Sequence, residues 1–357
     1  MHLNFHALPI VSREVAADDA ICLTLGVPPA LEADYRFTPG QHVALRAILD
    51  GKEVRRTYSI IDGSGRGRLR LGIRVQGPGG LSHHLAHAVQ IGDNVEALGP
   101  TGRFIHAPVD GARSYVAFAA GSGITPVLSI ATAILEREPD SRFLLVYGNR
   151  TTARTMFLEE VLALKNRFLG RLAVHFVMSR EPQDNALFNG RLDGAKVTEL
   201  AGFLFDPATV DEVFVCGPGD MVSSIRAALG SLGTQAPVHF ERFTTSGALA
   251  SAAARAPVPA VVADGAAVSV IQDGRRRSFT MLPGDASVLE AAERNGLELP
   301  FSCRAGVCST CRARIVKGSA QMSHNVALED WELAAGFILC CQARPTSREL
   351  ELSYDEK

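Results

Sequence analysis

The sequence predicts a multi-domain protein in which an antiparallel β-barrel is followed by a parallel α/β sheet domain and then by a small α+β domain. Three observations carry this prediction. Short runs of alternating polarity fill the first hundred residues, and longer apolar runs alternating with helical stretches follow from about residue 113. The last hundred residues combine a hairpin with one amphipathic helix. The length of 357 residues suits two or three domains of ordinary size.

The first domain is predicted from short strands that are separated by Gly, Pro and Asp turns. Several such strands with a single helical segment, at about residues 82–89, favour a small antiparallel barrel. We place this domain at residues 1–108. The strand-like runs are ICLTLGV, QHVALRAIL, RLRLGIRV and DNVEALG.

The second domain is predicted from continuous apolar runs, which are typical of strands buried on both faces of a parallel sheet. Helical stretches at about residues 126–137, 156–167 and 220–232 separate these runs, as the connections of a parallel sheet require. We place this domain at residues 109–244. The apolar runs are YVAFAA, FLLVYG, AVHFVMS and EVFVCG.

Residues 245–263 are rich in Ala, Ser and Pro without a periodic pattern, which predicts a linker. An Ala-rich helix is the alternative, but two prolines argue against a helix beyond about residue 256. After this segment, the sequence predicts a hairpin around Asp273–Gly274 and an amphipathic helix at about residues 287–296. Residues 264–357 thus form the third predicted domain.

Composition excludes several classes of protein. Apolar residues make up 46% of the chain and charged residues 21%, which suits a globular protein with a sizeable core. The net charge of −2 does not suggest a nucleic-acid-binding protein. The first ten residues lack the features of a signal peptide, and no run of 18 apolar residues predicts a membrane span. We therefore expect a cytoplasmic protein without a disulfide framework, since its seven cysteines are also odd in number.

Five of the seven cysteines lie in the last 55 residues. Their spacing is Cys303-x4-Cys308-x2-Cys311, followed after 29 residues by Cys341, whose neighbour Cys340 is the other candidate for a fourth ligand. This spacing is typical of a plant-type 2Fe–2S cluster, in which four thiolates converge on two irons from one short loop and one distant strand. The alternatives are four structural cysteines or a zinc site, although zinc motifs prefer two similar short pairs.

The segments CRAGVCSTC and GFILCCQARP resemble the plant-type ferredoxin family, which implies a β-grasp fold for the third domain. The resemblance also implies that Cys303, Cys308, Cys311 and Cys341 hold the cluster. Cys22, Cys216 and Cys340 are then spare, and each is most simply a small buried hydrophobe.

A 2Fe–2S cluster moves single electrons whereas nicotinamides give a hydride, so a chain that couples the two requires a flavin. The segment Arg56-Thr57-Tyr58-Ser59 resembles the flavin motif of the ferredoxin–NADP reductase superfamily. The resemblance implies that Arg56 pairs with the flavin phosphate, that Tyr58 packs against the isoalloxazine and that Ser59 hydrogen-bonds near N5. Tyr58 and Ser59 are therefore our candidate catalytic residues. The turn Gly79-Gly80-Leu81-Ser82 opens a predicted helix, and in the superfamily it holds the pyrophosphate of FAD.

The H-x3-H pattern of that helix suggests a metal site as an alternative, but the sequence offers no evident third ligand.

Two further motifs indicate a nicotinamide site. Gly121-Ser122-Gly123-Ile124-Thr125-Pro126 lies between a buried strand and a helix, where a pyrophosphate-binding turn is expected. It resembles the superfamily's glycine-rich loop, and Cys216-Gly217-Pro218 resembles the motif that flanks the nicotinamide. Ser179-Arg180 ends a predicted strand with a hydroxyl and a cation, which suits the 2′-phosphate of NADPH, and Arg150 and Arg191 are candidates to assist. Glu241-Arg242-Phe243 resembles an E-x-F element that the superfamily often places near the flavin, which implies a flavin contact for Phe243; the alternative is an ordinary core residue.

The order flavin, nicotinamide, ferredoxin resembles the reductase components of bacterial oxygenases, and most closely the reductases of phenylacetyl-CoA epoxidases. The resemblance implies a relay from NADPH through FAD and the cluster to a terminal di-iron oxygenase complex. One departure is RVQGPGGLS, where a lysine–arginine pair more often precedes the glycines. The alternatives are a reductase for a steroid or aromatic-ring hydroxylase, a diaphorase without a partner, and a binding module with structural zinc.

Overall fold

The computed structural model describes residues 4–63, 67–243 and 265–356. These residues form two compact units, Phe5–Phe243 and residues 265–356. The first unit contains an antiparallel and a parallel sheet, and the second contains a mixed sheet, so the multi-domain fold class is confirmed. The predicted linker at 245–263 lies outside the described residues.

Six antiparallel strands form the N-terminal sheet, in the order β4-β3-β6-β1-β2-β5. A bridge between Ile60 and Leu71 joins its two edge strands, which closes the sheet into a barrel. Leucines and isoleucines such as Leu23 and Leu45 fill its core without solvent exposure. The elements are β1 (Phe5–Ala17), β2 (Ala20–Gly26), β3 (His42–Leu49), β4 (Lys52–Ser59), β5 (Arg68–Arg74), helix α1 (Leu81–His87) and β6 (Asn94–Leu98).

Five strands form an all-parallel sheet in the order β11-β10-β7-β8-β9. Alternate residues of β7 enter two different cores, with Ala117 on one face and Val116 on the other, because helices cover both faces. The elements are β7 (Ser114–Ala120), α2 (Ile124–Arg137), β8 (Arg142–Asn149), α3 (Leu158–Arg167), β9 (Leu172–Met178), α4 (Gly194–Leu200), β10 (Glu212–Pro218), α5 (Gly219–Ser231) and β11 (Val238–Phe243).

The C-terminal unit has a five-stranded mixed sheet, ordered β13-β12-β18-β14-β16, with a separate pair of short strands, β15 and β17. Its first and last long strands, β12 and β18, are parallel neighbours, and α6 buries its apolar face in the same core, as in a β-grasp fold. The elements are β12 (Ala266–Gln272), β13 (Arg275–Met281), α6 (Val288–Arg294), β14 (Arg312–Lys317), β15 (Ala320–Met322), α7 (Asp330–Ala334), β16 (Phe337–Leu339), β17 (Ala343–Pro345) and β18 (Glu349–Ser353).

The predicted elements occur with shifted ends, and the predicted hairpin turn has left-handed backbone at both Asp273 and Gly274. Several elements were not predicted, among them β1, α4 and β11. The pattern of β1 is obscured because Pro9 and two register shifts interrupt its alternation. The longest helix, α2, has 14 residues, and none within the described ranges combines the length and apolar character needed to cross a membrane.

Candidate functional site

The carboxyl edge of the parallel sheet brings together two of the predicted motifs. Strands β10 and β11 run in register, so Cys216 pairs with Glu241 and Pro218 pairs with Phe243. Cys216 has no solvent exposure. Burial, and then the nearby carboxylate of Glu241, raise the pKa of the Cys216 thiol well above its ordinary value. The thiol is therefore neutral at physiological pH and presents no charge to this edge of the sheet.

Glu241 connects the parallel sheet to the barrel. One of its carboxylate oxygens lies 3.2 Å from Nδ1 of His42, and the other accepts a hydrogen bond of 3.5 Å from the Ser59 hydroxyl. His42 and Ser59 face each other across β3 and β4. The candidate catalytic residue Ser59 therefore contacts the same carboxylate that lies beside Cys216. The sequence placed Glu241 in the E-x-F element, but sequence reasoning missed His42 and the contact of Glu241 with Ser59, because 182 residues separate Glu241 from Ser59.

Strand β4 carries the predicted flavin motif. Since side chains alternate along a strand, Arg56 and Tyr58 share one face, whereas the buried Ser59 lies on the other. Burial raises the pKa of Tyr58, and the nearby cation of Arg56 opposes that shift. The Arg56 guanidinium donates to the carbonyl oxygen of Arg55 at 2.7 Å and pairs with no carboxylate of the described residues. An exposed arginine without a carboxylate partner is available to bind a phosphate.

The turn before α1 is open on its outer side. Gly79 has a φ of +82°, and a Cβ added there would meet no atom within 4 Å. Leu81 and Ser82 are buried, and the Ser82 hydroxyl accepts a 3.0 Å hydrogen bond from the backbone N–H of Gln76. These contacts fix the base of the turn while Gly79 faces open space, which leaves room for a ligand.

The glycine-rich turn after β7 packs directly on the end of β10. A Cβ added at Gly123 would lie 2.2 Å from the carbonyl oxygen of Cys216 and 3.0 Å from the nitrogen of Gly217. Gly121 has a φ of +55°, and its carbonyl oxygen accepts a 2.9 Å hydrogen bond from the Tyr147 hydroxyl. At the start of α2, the hydroxyl of the buried Thr125 donates to the carbonyl oxygen of Ser122, and Pro126 occupies the next, buried position. Both predicted nicotinamide motifs thus pack directly against each other.

An ion-pair cluster between the barrel and the parallel sheet was not predicted. Asp19, in the turn after β1, accepts hydrogen bonds from the guanidinium groups of Arg74 and Arg154. Arg74 also donates to the carbonyl oxygen of Arg154 at 3.0 Å. The guanidinium of Arg74 lies 3.9 Å from the position that a Cβ on Gly121 would occupy. No local sequence pattern reveals this cluster, since its members come from three distant segments.

Ser179 and Arg180 follow β9 at the same edge of the sheet, and both are exposed. The backbone N–H of Arg180 donates to the carbonyl oxygen of Arg150, which places two exposed arginines on adjacent strand ends. Neither guanidinium pairs with a carboxylate of the described residues, because the adjacent Glu181 is bound by Thr152. Arg191 differs, since it pairs with Asp220 at 3.1 Å.

In the C-terminal unit the four predicted cysteine ligands form two interacting pairs. The thiol of Cys303 interacts with that of Cys308, and the thiol of Cys311 interacts with that of Cys341. No three His, Cys, Asp or Glu side chains of the described residues are arranged to hold a single metal ion. A 2Fe–2S cluster places two thiolates on each iron, so two pairs fit it better than they fit a mononuclear zinc site.

Backbone N–H groups of the loop donate to the Cys303 sulfur. The N–H of Ala305 lies 3.4 Å from the Cys303 sulfur. A hydrogen bond from Cys308, with further backbone N–H donors, lowers the pKa of Cys303. Three residues of the loop adopt positive φ, namely Arg304 (53°), Gly306 (74°) and Ser309 (51°). This curvature turns N–H groups toward the sulfurs, as a negatively charged cluster requires.

The adjacent Cys340 has a different environment from Cys341. Cys340 is fully buried, and burial raises the pKa of its thiol to about 12, against a smaller opposing effect of Tyr354. The side chain of Cys341 instead interacts with Cys311. This difference favours Cys341 over Cys340 as the fourth ligand.

Family models match three successive parts of the chain. They are an oxidoreductase FAD-binding domain at residues 7–106, an oxidoreductase NAD-binding domain at residues 118–227 and a 2Fe-2S iron-sulfur cluster binding domain at residues 270–346. Fold and site thus define an oxidoreductase that uses FAD, NAD(P)H and a 2Fe–2S cluster.

The chain is similar over nearly its whole length to proteins of oxygenase systems. It is 38% identical to a subunit of the 1,2-phenylacetyl-CoA epoxidase from Escherichia coli K12, and the match covers 99% of both chains. It is 31% identical to the ferredoxin reductase component of 3-ketosteroid-9-alpha-monooxygenase from Mycobacterium tuberculosis H37Rv, over 99% of this chain and 98% of the relative.

Among solved structures, phthalate dioxygenase reductase matches with a TM-score of 0.57 and 26% identity over 98% of each chain. It is described as a modular structure for electron transfer from pyridine nucleotides to a 2Fe–2S centre. The present chain belongs to the ferredoxin–NADP reductase superfamily, in the branch with a C-terminal plant-type 2Fe–2S domain. Within this branch it is a reductase that delivers electrons to an oxygenase.

The residues present fit these cofactors. The flavin, when bound, accepts the two electrons of a hydride and releases them singly. Hydride transfer requires reacting atoms in near contact. The bridge from Glu241 to Ser59 joins the two sheets of the first unit at this edge, and the close packing of Gly123 on Cys216 fixes the glycine-rich turn against the end of β10.

Proposed function

We propose that this protein is the NADPH-dependent reductase of a di-iron oxygenase that epoxidises phenylacetyl-CoA. The observation that carries the proposal is the 38% identity, over 99% of both chains, to the epoxidase subunit from Escherichia coli. The 31% identity to a steroid monooxygenase reductase supports a second candidate, a reductase for a steroid hydroxylase.

Reconstitution with purified oxygenases tests the choice of partner. The reductase would be combined with the oxygenase subunits of a phenylacetyl-CoA epoxidase or, separately, of a 3-ketosteroid hydroxylase. We expect substrate oxidation coupled to NADPH consumption with the first and only uncoupled NADPH oxidation with the second. Coupled turnover with the steroid enzyme alone would support the second candidate, and turnover with neither would favour a diaphorase.

Within the proposed reductase, Arg56, Tyr58 and Ser59 bind FAD together with the turn from Gly79 to Ser82. Support comes from the guanidinium of Arg56, which pairs with no carboxylate of the described residues, and from the open outer side of the turn. Ser59, whose hydroxyl is tied to Glu241, is proposed to contact the reactive edge of the flavin. Replacement of Arg56 by Ala should lower the FAD content of the purified protein, whereas Arg36→Ala, at another exposed arginine, should not.

The proposed nicotinamide site uses Gly121, Gly123, Thr125 and Pro126, followed by Cys216, Gly217, Pro218 and Phe243. Support comes from the tight packing of the first loop on the second and from the pairing of Pro218 with Phe243. We assign the first group of residues, which follows β7, to the nucleotide pyrophosphate. We assign the second group, which lies at the ends of β10 and β11, to the nicotinamide ring.

Preference for NADPH is proposed to arise from Ser179, Arg180 and Arg150. Each arginine is exposed and has no carboxylate partner among the described residues, so each is available to a 2′-phosphate. We expect Arg180→Ala to lower kcat/KM for NADPH about tenfold, because a charge-assisted hydrogen bond contributes about 1.5–3 kcal/mol. The kcat/KM for NADH, which lacks the 2′-phosphate, should stay unchanged. The matched control is Arg142→Ala, which removes an exposed arginine at the opposite end of β8.

The 2Fe–2S cluster is proposed to be held by Cys303, Cys308, Cys311 and Cys341. Cys340→Ser and Cys341→Ser form a matched pair because the two residues are adjacent. We expect Cys340→Ser to keep the visible and EPR spectra of the cluster, and Cys341→Ser to lose or change them. The reverse result would make Cys340 the ligand.

A further inference from the structure

Gln342, directly after Cys341, is a buried amide whose polar atoms all have partners near the cysteine loop. Its exposed fraction is 4%. Its Nε2 donates to the carbonyl oxygen of Arg304 at 2.8 Å and lies 3.8 Å from the Cys341 sulfur, within range of a hydrogen bond to sulfur. Its Oε1 accepts a 2.8 Å hydrogen bond from the Ser323 hydroxyl. Because Ser323 occupies the amide oxygen, the amide nitrogen is oriented toward the loop and the sulfur.

The loop that holds the other three cysteines is shaped around this side chain. Arg304 has a φ of 53°, a left-handed conformation that is unfavourable for a residue other than glycine and persists only where neighbouring groups enforce it. The hydrogen bond from Gln342 to the Arg304 carbonyl is one such group. Gly306 completes the fit, since a Cβ there would lie 3.1 Å from Cγ of Gln342.

We propose that Gln342 is a positioning residue for the 2Fe–2S cluster: its amide joins Cys341 to the loop of Cys303, Cys308 and Cys311 and raises the reduction potential. A hydrogen bond to a ligating sulfur stabilises the reduced cluster, which carries one more negative charge than the oxidised cluster. Loss of this donor therefore favours the oxidised form. The inference rests on the assignment of Cys341 as a ligand, proposed above.

The test compares Gln342→Met with the wild-type holoprotein by EPR of the reduced cluster and by redox titration. Methionine fills a similar volume but donates no hydrogen bond. We expect changed g-values and about a fivefold smaller equilibrium constant for reduction, equal to a potential about 40 mV lower at 59 mV per tenfold change. Ser323→Ala, which removes the hydroxyl that binds the amide oxygen and the backbone carbonyl of Gln342 but keeps the amide itself, should shift the potential less and in the same direction.

The matched control is Gln321→Met, at an exposed glutamine in the same unit, with an unchanged spectrum and potential expected. If Gln342→Met and Ser323→Ala both keep the wild-type g-values and potential, the inference is wrong. If Gln342→Met is purified without a cluster, Ser323→Ala decides alone, and its unchanged spectrum and potential would overturn the inference. Failure of the ligand assignment is distinguishable, because it appears in the Cys341→Ser spectrum.

Discussion

A buried ionic network at the amino edge of the parallel sheet should stabilise the first unit in a pH-dependent way. Nε2 of His106 lies 2.6 Å from Glu138, and Nδ1 lies 3.2 Å from Glu212. Glu138 also accepts hydrogen bonds from the hydroxyls of Tyr115 and Ser141, at 2.7 and 2.9 Å. His106 and Glu138 are almost fully buried, so each depends on the other for its charge.

The perturbation is His106→Leu. It removes two hydrogen bonds to carboxylates, each of which contributes about 1.5–3 kcal/mol. Breaking a buried ion pair costs about 3–5 kcal/mol, and we expect the lower end, about 3 kcal/mol, because Tyr115 and Ser141 still bind Glu138. For a unit of this size that corresponds to a fall in Tm of about 6–12 °C.

The sign of the pH dependence follows from two opposite pKa shifts. Burial alone would lower the pKa of His106, but Glu212 and Glu138 raise it above its ordinary 6.5. Its contribution is therefore complete below pH 6.5 and is lost as the pH rises through the raised folded-state pKa. Burial would raise the pKa of Glu138, but hydrogen bonds, first from His106, lower it below 4.5. Its contribution is present above pH 4.5 and is lost as the pH falls through the lowered folded-state pKa.

Release of FAD on heating, followed by flavin fluorescence, would measure the Tm of the first unit. The chain has one tryptophan, Trp331 in α7, so its fluorescence reports the C-terminal unit separately and should not change. We expect the Tm loss of His106→Leu to be larger near pH 6 than near pH 8.5. The control is His87→Leu, at an exposed histidine of α1, which should cost less than about 0.5 kcal/mol of stability at both pH values. Equal losses in the two variants, or a larger loss at the higher pH, would refute the reasoning.

Two glycine substitutions test the packing of the first unit. In Gly72→Ala the new Cβ would lie 2.4 Å from Thr125 and 2.7 Å from Phe157, so we expect about 1–3 kcal/mol of destabilisation by overpacking. The Tm of FAD release would measure this loss. Gly77→Ala, with open space around it, should show no such destabilisation. In Gly123→Ala the Cβ would strike the carbonyl of Cys216, so NADPH should reduce the flavin at least about tenfold more slowly in stopped-flow measurements, equal to about 1.4 kcal/mol of barrier. Gly230→Ala in α5 is the matched control, and slowing there as well would contradict the role given to Gly123.

The sequence predicted features that depend on near neighbours in the chain. The cysteine loop is one, because three proposed ligands lie within nine residues and their spacing reflects the geometry of the cluster. The hairpin at Asp273–Gly274 is another, since left-handed backbone at both positions favours Asp-Gly. The apolar runs of the parallel sheet were predicted for the same reason, because burial on both faces leaves a continuous local signal.

Features that depend on register between distant segments could not be predicted. Glu241 contacts Ser59 only because β11 pairs with β10 in one particular register. The Ser-Arg pair after β9 and Arg150 are visible in the sequence as candidates, but the hydrogen bond that joins Arg180 to Arg150 depends on the pairing of β8 with β9. Gln342 was overlooked because an amide carries no motif, and its importance is visible only from its contacts with Arg304 and Cys341.

The tight glycine contacts of the first unit lie where the proposed chemistry needs fixed distances. Gly123 meets the end of β10, and Gly72 of the barrel meets α2, each at a separation that no side chain would permit. Hydride transfer loses rate steeply when the reacting atoms are misplaced by about 1 Å, so the proposed site requires close contacts within the parallel-sheet domain, as at Gly123, and between that domain and the barrel, as at Gly72. Glycine at these two positions therefore has a functional reason as well as a steric one. The glycines that face open space, such as Gly77 and Gly79, have no such reason in packing, and their side of the turn is left free for a ligand.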